Sequence, residues 1–202
     1  MKACECDSSR SALLEGRGIG RRLAQTVSGV LSLGLAFLSS SEAASQRVPR
    51  DLGMATGRVI TTAQTYPVGT IVILTKQRTL ELVLSRNRAI RYTIGVGRDG
   101  FRWRGVVSVG RKAEWPDWRP PAEMKGRTPE LPALLPAGPF NPMGARGIYL
   151  YQGDADTLYR IHGTNEQSTV GAFASSGCFR MSNTDVIDLY KRVKIGATVV
   201  VK

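Results

Sequence analysis

Two side chains that together can perform nucleophilic catalysis, His162 and Cys178, stand sixteen positions apart in the sequence. A cysteine thiol has a pKa of about 8.5 in water, so at neutral pH it is mostly protonated and a poor nucleophile. A neighbouring imidazole can take the proton and leave a thiolate–imidazolium pair, whose sulfur attacks a carbonyl carbon. The pair therefore predicts an enzyme with Cys178 as the nucleophile and His162 as the base.

The residues before the cysteine, Ser176 and Gly177, suit a second requirement of that chemistry, which is to stabilise the negative oxygen that the attack creates. Glycine permits a tight turn, and such a turn would direct the backbone N–H groups of Gly177 and Cys178 toward that oxygen. No metal site is predicted, because one histidine and one cysteine are too few ligands for zinc without additional carboxylates.

Residues 1–44 have the pattern of a secretory signal peptide. An apolar stretch from Val27 to Leu38 is too short to span a bilayer comfortably, and small residues follow it at Ser41 and Ala43. The basic flank before it contains Arg10, Arg17, Arg21 and Arg22. The chain is therefore expected to be exported to the periplasm or cell envelope and to contact the membrane only through this segment. An uncleaved membrane anchor is the alternative.

Cleavage at the end of this segment would remove Cys4 and Cys6. Cys178 would then be the only cysteine, which excludes an internal disulfide. A lone thiol in an oxidising compartment is a liability unless the protein buries it or uses it.

The rest of the chain suffices for one domain. We assign residues 45–69 to a polar linker and lead-in and residues 70–202 to a catalytic domain. The formal net charge is +12, from 28 Lys+Arg against 16 Asp+Glu, and such a surface favours anionic partners. Nucleic acid is not an expected partner, because the basic residues are spread along the chain without interleaved aromatic residues.

Runs of β-branched and alternating residues predict a mostly β domain. The first two strands form a hairpin with Gln77 and Arg78 as its turn, and the third strand extends the hairpin into a meander. A second hairpin carries His162 near its end. Strands are predicted at residues 71–76, 79–85, 89–97, 106–109, 147–152, 157–163 and 197–202.

One helix is predicted near the C-terminus, because apolar residues recur with helical spacing from Val186 to Val193. Asn183 or Thr184 would cap its N-terminus, and Gly196 would end it.

Residues 111–146 contain eight of the ten prolines and predict a long loop, since proline at this density blocks helix interiors and central strands. Loops of this length in compact domains are usually functional. We expect the loop to form one wall of the substrate cleft, with Trp115 and Trp118 contacting the substrate. The alternative is that both tryptophans only anchor the loop on the core.

The segments I-H-G-T-N (161–165) and S-S-G-C-F-R-M-S-N-T-D (175–185) resemble the active-site signature of L,D-transpeptidase catalytic domains, which cross-link bacterial peptidoglycan. Residues 136–150 (P-A-G-P-F-N-P-M-G-A-R-G-I-Y-L) and 92–97 (Y-T-I-G-V-G) resemble the same family. The resemblance covers residues 70–202.

The resemblance implies a β-sandwich of mixed sheets, in which the cysteine lies in a loop beside the short C-terminal helix. It implies that Cys178 is the nucleophile, that His162 is the base, and that the carbonyl of Gly163 orients the imidazole. Arg180 would hold the site together or bind a substrate carboxylate, and Asn183 would brace the loop.

Two positions depart from the family pattern. Many members carry a histidine two residues before the cysteine, where this chain has Ser176. Many also carry Thr-Pro-x-Gly after the third strand, where residues 98–105 read R-D-G-F-R-W-R-G, so the substrate groove is expected to differ there.

The family reaction implies that Cys178 attacks an L-centred carbonyl, usually of diaminopimelate, in a tetrapeptide stem and releases D-alanine, without a cofactor. An amine of a second stem then takes the acyl group, which gives a 3→3 cross-link. Alternative acceptors are a lysine of an outer-membrane protein or water, and water would make the protein an L,D-carboxypeptidase. Alternatives of other classes are a cysteine peptidase of unrelated fold and a non-catalytic wall-binding module, against which the Cys–His pair argues.

Overall fold

The computed structural model of the protein describes residues 54–63 and 65–202, so the predicted signal peptide and the start of the linker lie outside the described residues. No helix in these two ranges is long and apolar enough to cross a membrane. The strands are β1 (Arg58–Thr61), β2 (Ile71–Leu74), β3 (Thr79–Ser85), β4 (Arg88–Thr93), β5 (Val96–Gly97), β6 (Gly105–Glu114), β7 (Arg146–Gln152), β8 (Ala155–His162), β9 (Phe173–Ser175), β10 (Phe179–Arg180) and β11 (Thr198–Val201). The α-helices are α1 (Ala122–Arg127) and α2 (Asn183–Arg192), and a 3-10 turn spans Gln167–Thr169.

Nine strands form one mixed sheet in the order β1-β4-β3-β2-β11-β6-β7-β8-β10, and β5 pairs with β9 in a small parallel sheet. The meander β2–β3–β4 and the hairpin β7–β8 are antiparallel as predicted. By contrast, β11 lies parallel to β2, and β10 lies parallel to β8. The predicted class, mostly β with mixed pairing and a short C-terminal helix, is confirmed.

The core is built on central strands whose consecutive residues are all buried. In β2, Ile71, Val72 and Ile73 have no exposed surface, so both faces of this strand are covered. Val186 and Leu189 of α2 pack into the same core. Near one edge of the large sheet, Ile161 and Phe179 complete the core and anchor the two strands that carry the site.

The N-terminus of α2 differs from the prediction. Ser182 is the N-cap, and its Oγ accepts a hydrogen bond from the backbone N–H of Asp185 at 3.1 Å. The predicted caps Asn183 and Thr184 are instead the first helical residues. The side chain of Asn183 cannot cap because it bonds to the N–H of Ala145.

The proline-rich loop is shorter than predicted, because β6 continues to Glu114 instead of ending at residue 109. The first proline of the segment is Pro116, so the ladder between β6 and β7 runs on unbroken by proline until Glu114 pairs with Arg146. Within the loop, α1 starts directly after Pro121, whose fixed φ suits a helix start.

The turn of the first hairpin also differs from the prediction. Leu74 pairs with Thr79, so four residues, 75–78, connect β2 to β3, and Arg78 takes a φ of 54°. Two-residue turns of the type I′ class require positive φ at both positions, which Gln77 and Arg78 do not favour. The second hairpin has a two-residue turn, because Gln152 pairs with Ala155, and the positive φ of its first position, 60°, is supplied by Gly153.

Candidate active site

The parallel pairing of β10 with β8 brings the predicted nucleophile close to the predicted base. Phe179 lies beside Ile161, and Arg180 lies beside His162. Side chains alternate between the two faces of a strand, so Phe179 and Ile161 point into the core while Arg180 and His162 point to the other face. Cys178 precedes Arg180 by two residues and therefore lies on the same face. The two residues that are sixteen positions apart in the sequence thus belong to one site.

His162 is buried, and its Nδ1 lies 2.6 Å from the carbonyl oxygen of Gly163, the residue that the resemblance implied. A carbonyl oxygen only accepts, so Nδ1 must carry the hydrogen, and Nε2 keeps the lone pair that a base needs. Burial lowers the pKa of His162 to about 4 against the opposing effect of that carbonyl, and the positive charge of Arg180 lowers it further. The imidazole is therefore neutral at pH 7.

This buried neutral histidine makes the stability depend on pH. Its pKa is about 6.5 in an unfolded chain and about 4 in the folded protein, so between these values the unfolded chain binds the proton more tightly. The contribution of His162 is complete above about pH 6.5, and we expect the free energy of unfolding to fall by about 3 kcal/mol on acidification to about pH 4. Urea denaturation across this range measures it, with His162→Gln as the control that should lack the loss. Equal pH slopes for the two proteins would contradict the expectation.

Cys178 is a half-buried free thiol. Burial raises its pKa, while the backbone N–H of Arg160 and the positive charges of Arg160 and Arg180 oppose that rise. The thiol and the imidazole are therefore both neutral at rest. Burial disfavours the charged form of each partner, so the thiolate–imidazolium pair expected from the sequence requires transfer of the proton from sulfur to imidazole.

The loop that carries Cys178 is held by Ser175. Its Oγ donates to the carbonyl of Cys178 at 2.6 Å and accepts from the N–H of Gly177 at 3.1 Å. Of the two predicted oxyanion donors, the Gly177 N–H is thus engaged within the loop. Ser176, the serine singled out in the sequence, is half-buried beside this clamp. Gly177 has a φ of 115°, and a Cβ there would lie 2.5 Å from the ring of Tyr159, so this position requires glycine.

Trp103 supports the same loop from the segment in which the sequence departs from the family pattern. Its indole N–H donates to the carbonyl of Gly177 at 3.2 Å, and its ring stacks on Tyr159 with centroids 4.4 Å apart. Sequence reasoning missed both Trp103 and Ser175. The place of Trp103 in the departing segment was an available signal, whereas nothing in the sequence separates Ser175 from its neighbour Ser176.

Asn183 braces His162 through the backbone. Its Oδ1 accepts from the N–H of Ala145 at 2.9 Å and rests against two glycines. A Cβ would lie 2.3 Å from this oxygen at Gly144 and 2.2 Å from it at Gly163. Because the carbonyl of Gly163 holds the His162 ring, Asn183 fixes the imidazole by fixing this glycine.

Arg180 ties the site to the neighbouring chain segments. Its backbone exchanges two hydrogen bonds with Gly95, at 2.7 and 2.9 Å, and its Nη1 lies 3.1 Å from a carboxylate oxygen of Glu166. Its Nε is buried and has no hydrogen-bond partner in the described part of the chain. The guanidinium therefore has donors left over beside the site.

The two tryptophans of the proline-rich loop occupy different places. Trp115 lines a cavity of about 140 Å³ that reaches Gly144 and Asn183, the residues that brace the base. Trp118 pairs with Leu135 through two backbone hydrogen bonds of 2.8 Å within the loop. Of the two, Trp115 borders the site.

The sequence profile of the L,D-transpeptidase catalytic domain family matches residues 67–201. The probable L,D-transpeptidase ErfK/SrfK of Escherichia coli is 36% identical over 139 residues, which are 65% of this chain and 43% of that protein. The chain thus spans less than half of the length of this relative.

Two solved structures have a similar fold. One from Brucella melitensis, named as a probable carnitine operon oxidoreductase, is 45% identical with a TM-score of 0.51, and the match covers 72% of this chain and 92% of that one. An L,D-transpeptidase from Enterococcus faecium is 17% identical with a TM-score of 0.53 over 67% of this chain and 50% of that one. At 17% identity the second likeness concerns the fold alone.

Proposed function

This chain belongs to the L,D-transpeptidase catalytic domain family, and from that premise we propose that it is an exported cysteine acyltransferase that acts on the stem peptides of peptidoglycan. The observation that carries the proposal is the histidine geometry. Nδ1 of His162 donates to the carbonyl of Gly163, so Nε2 is left as a base on the face that also holds Cys178. Export rests on the N-terminal signal pattern of the sequence.

In the first step the Cys178 sulfur bonds to the carbonyl carbon of an L-centred residue, usually diaminopimelate, while the thiol proton passes to His162. Because both groups are neutral at rest, this proton moves during the attack rather than before it. We assign the N–H of Cys178 to the developing oxyanion, since the N–H of Gly177 already donates to Ser175. The bond to D-alanine then breaks, and the leaving amine takes the proton from His162.

In the second step an amine attacks the thioester. The amine loses a proton to His162, the carbon–sulfur bond breaks, and the thiol is restored by that proton. A stem-peptide amine as acceptor gives a 3→3 cross-link, and a protein lysine attaches a protein to the wall. Water as the acceptor would make the chain an L,D-carboxypeptidase.

Arg180 is our candidate for holding a carboxylate of the stem. One of its terminal nitrogens is bound to Glu166, and the remaining donors of the guanidinium lie on the face of His162. A guanidinium is suited to this task because its planar array of N–H groups matches a carboxylate.

Trp115 is our candidate for substrate contact in the proline-rich loop. We expect Trp115→Ala to raise KM about tenfold with little change in melting temperature, because the ring lines the cavity beside Asn183. Trp118→Ala is the matched control. It should lower the melting temperature and leave KM near the wild-type value. Steady-state kinetics and thermal melts of both variants measure this, and the reverse order of effects would contradict it.

The function is tested by incubating the protein with purified disaccharide-tetrapeptide and identifying the products by mass spectrometry. Dimers that have lost alanine support transpeptidation, and tripeptide alone supports hydrolysis. An ordinary L-peptide serves as the second substrate, since its cleavage would indicate a cysteine peptidase. A carbapenem adduct on the peptide that contains Cys178 would support the thioester route. Absence of both products and adduct would refute the proposal.

A further inference from the structure

Strand β8 carries a bulge beside the nucleophile. In the β7–β8 ladder Tyr149 pairs with Arg160 and Tyr151 pairs with Asp156, so one residue of β7 faces three residues of β8, 157–159. Leu158, the middle residue of the bulge, has a φ of 60°. This left-handed conformation costs a bulky residue about 1–3 kcal/mol and persists only where the surroundings hold it.

Asp156 holds the bulge in place. Its Oδ1 accepts from the N–H of Leu158 at 2.8 Å and from Nη1 of Arg160 at 2.6 Å, and its Oδ2 accepts from Nη2 of Arg160 at 2.8 Å. Thr157 adds a second clamp, since its Oγ1 accepts from the N–H of Tyr159 at 3.2 Å. One carboxylate therefore fixes both the strained backbone of Leu158 and the side chain of Arg160.

Two backbone groups of the bulge contact the sulfur of Cys178, and they have opposite effects on the thiol. Sγ of Cys178 lies 3.8 Å from the carbonyl oxygen of Leu158, a weak S–H···O contact that favours the protonated thiol. The backbone N–H of Arg160 favours the thiolate instead. Within residues 54–63 and 65–202 the thiol bonds to Leu158, and no hydrogen bond joins it to His162.

We propose that the bulge from Asp156 to Arg160 is a positioning device for the nucleophile, which holds the resting thiol of Cys178 on the carbonyl of Leu158 until it turns to His162. Asp156 and Leu158 are positioning residues in this scheme, because they act through the sulfur and not on the substrate. The inference rests on the proposed acyl transfer for its kinetic effect. The reactivity of the thiol toward a small reagent tests it without that function.

Asp156→Ala separates these two effects. In the wild type the carbonyl of Leu158 stabilises the protonated thiol, and without Asp156 this carbonyl is no longer held in place. The change also removes a negative charge that raises the thiol pKa. Both losses favour the thiolate, so we expect Cys178 to react with iodoacetamide at neutral pH about two- to fivefold faster. With the sulfur no longer directed, kcat on disaccharide-tetrapeptide should fall about tenfold while KM stays near the wild-type value. A merely structural role would not move the two rates in opposite directions.

Asp188→Ala is the matched control. Asp188 forms an i,i+4 ion pair with Arg192 in α2, as Asp156 does with Arg160, and it also accepts a hydrogen bond from Tyr92. Asp188→Ala should lower the melting temperature at least as much as Asp156→Ala does, without changing kcat or the rate at which iodoacetamide alkylates Cys178. Asp156→Asn keeps an acceptor for the N–H of Leu158 and should retain most of kcat.

Alkylation is followed over a pH series by mass spectrometry of the peptide that contains Cys178, so that Cys4 and Cys6 of the full chain do not contribute. A wild-type kcat in Asp156→Ala would overturn the proposal, as would a fall of alkylation and kcat in equal proportion. If the wild-type chain transfers no acyl group, the proposed function fails, and the alkylation profile alone decides the positioning. An unchanged profile in Asp156→Ala would then overturn it.

Discussion

Replacing Cys178 with serine should reduce the release of D-alanine from the tetrapeptide at least about a thousandfold. The reason lies in the base as much as in the nucleophile. Burial lowers the pKa of His162 to about 4, and to this weakened base an alcohol gives up its proton far less readily than a thiol, because the pKa of an alcohol is far higher. The free energy of unfolding should change by less than about 1 kcal/mol, because serine is close to cysteine in size and the site is only half-buried.

Initial rates measured by mass spectrometry, together with urea denaturation, check this result. Cys4→Ser and Cys6→Ser are matched controls, since they make the same substitution in the predicted signal peptide and should leave the rate unchanged. A Cys178→Ser protein that kept a tenth of the wild-type rate would show that the sulfur is not the nucleophile.

Gly144→Ala should destabilise the protein by about 3 kcal/mol and slow turnover about a hundredfold. A Cβ at Gly144 would lie 2.3 Å from Oδ1 of Asn183 and 2.5 Å from the backbone nitrogen of Thr164, so the brace must shift. That shift moves Gly163, whose carbonyl holds the ring of His162. Stability and activity should therefore fall together.

Gly153→Ala is the control for this substitution. Gly153 and Gly144 share a φ of 60°, but a Cβ at Gly153 would have no atom within 4 Å. The control should lose only the cost of a left-handed alanine, about 1 kcal/mol, and keep its activity. The difference between the two variants measures the contact with Asn183, and equal losses of stability in both would contradict this explanation.

The features that could be predicted from the sequence are those that a local pattern encodes. The apolar run of β2 and the glycine turn between β7 and β8 identify their strands without tertiary information. The residues around His162 and Cys178 suffice to place both in one site, because their types limit the chemistry. The proline-free stretch before Pro116 was also present in the sequence, although the end of β6 at Glu114 depends on its pairing with β7.

The features that could not be predicted depend on burial or on distant partners. The neutral state of the thiol and imidazole follows from desolvation, which has no local signature. The left-handed Leu158 is held by Asp156 and by the pairing of β8 with β7, and a leucine gives no hint of positive φ. Ser182 rather than Asn183 caps α2, because the amide of Asn183 is drawn to Ala145, 38 positions away in the chain.

The position of β11 has a consequence for the order in which the protein can assemble. Its residues follow all the other described strands in the chain, yet it pairs with β2 on one side and β6 on the other. The sheet order places no other strand between these two, so within the nine-stranded sheet β11 is the strand that joins the meander to the half that carries the site. During vectorial synthesis the edges of β2 and β6 that β11 covers therefore stay unpaired until Val199 emerges.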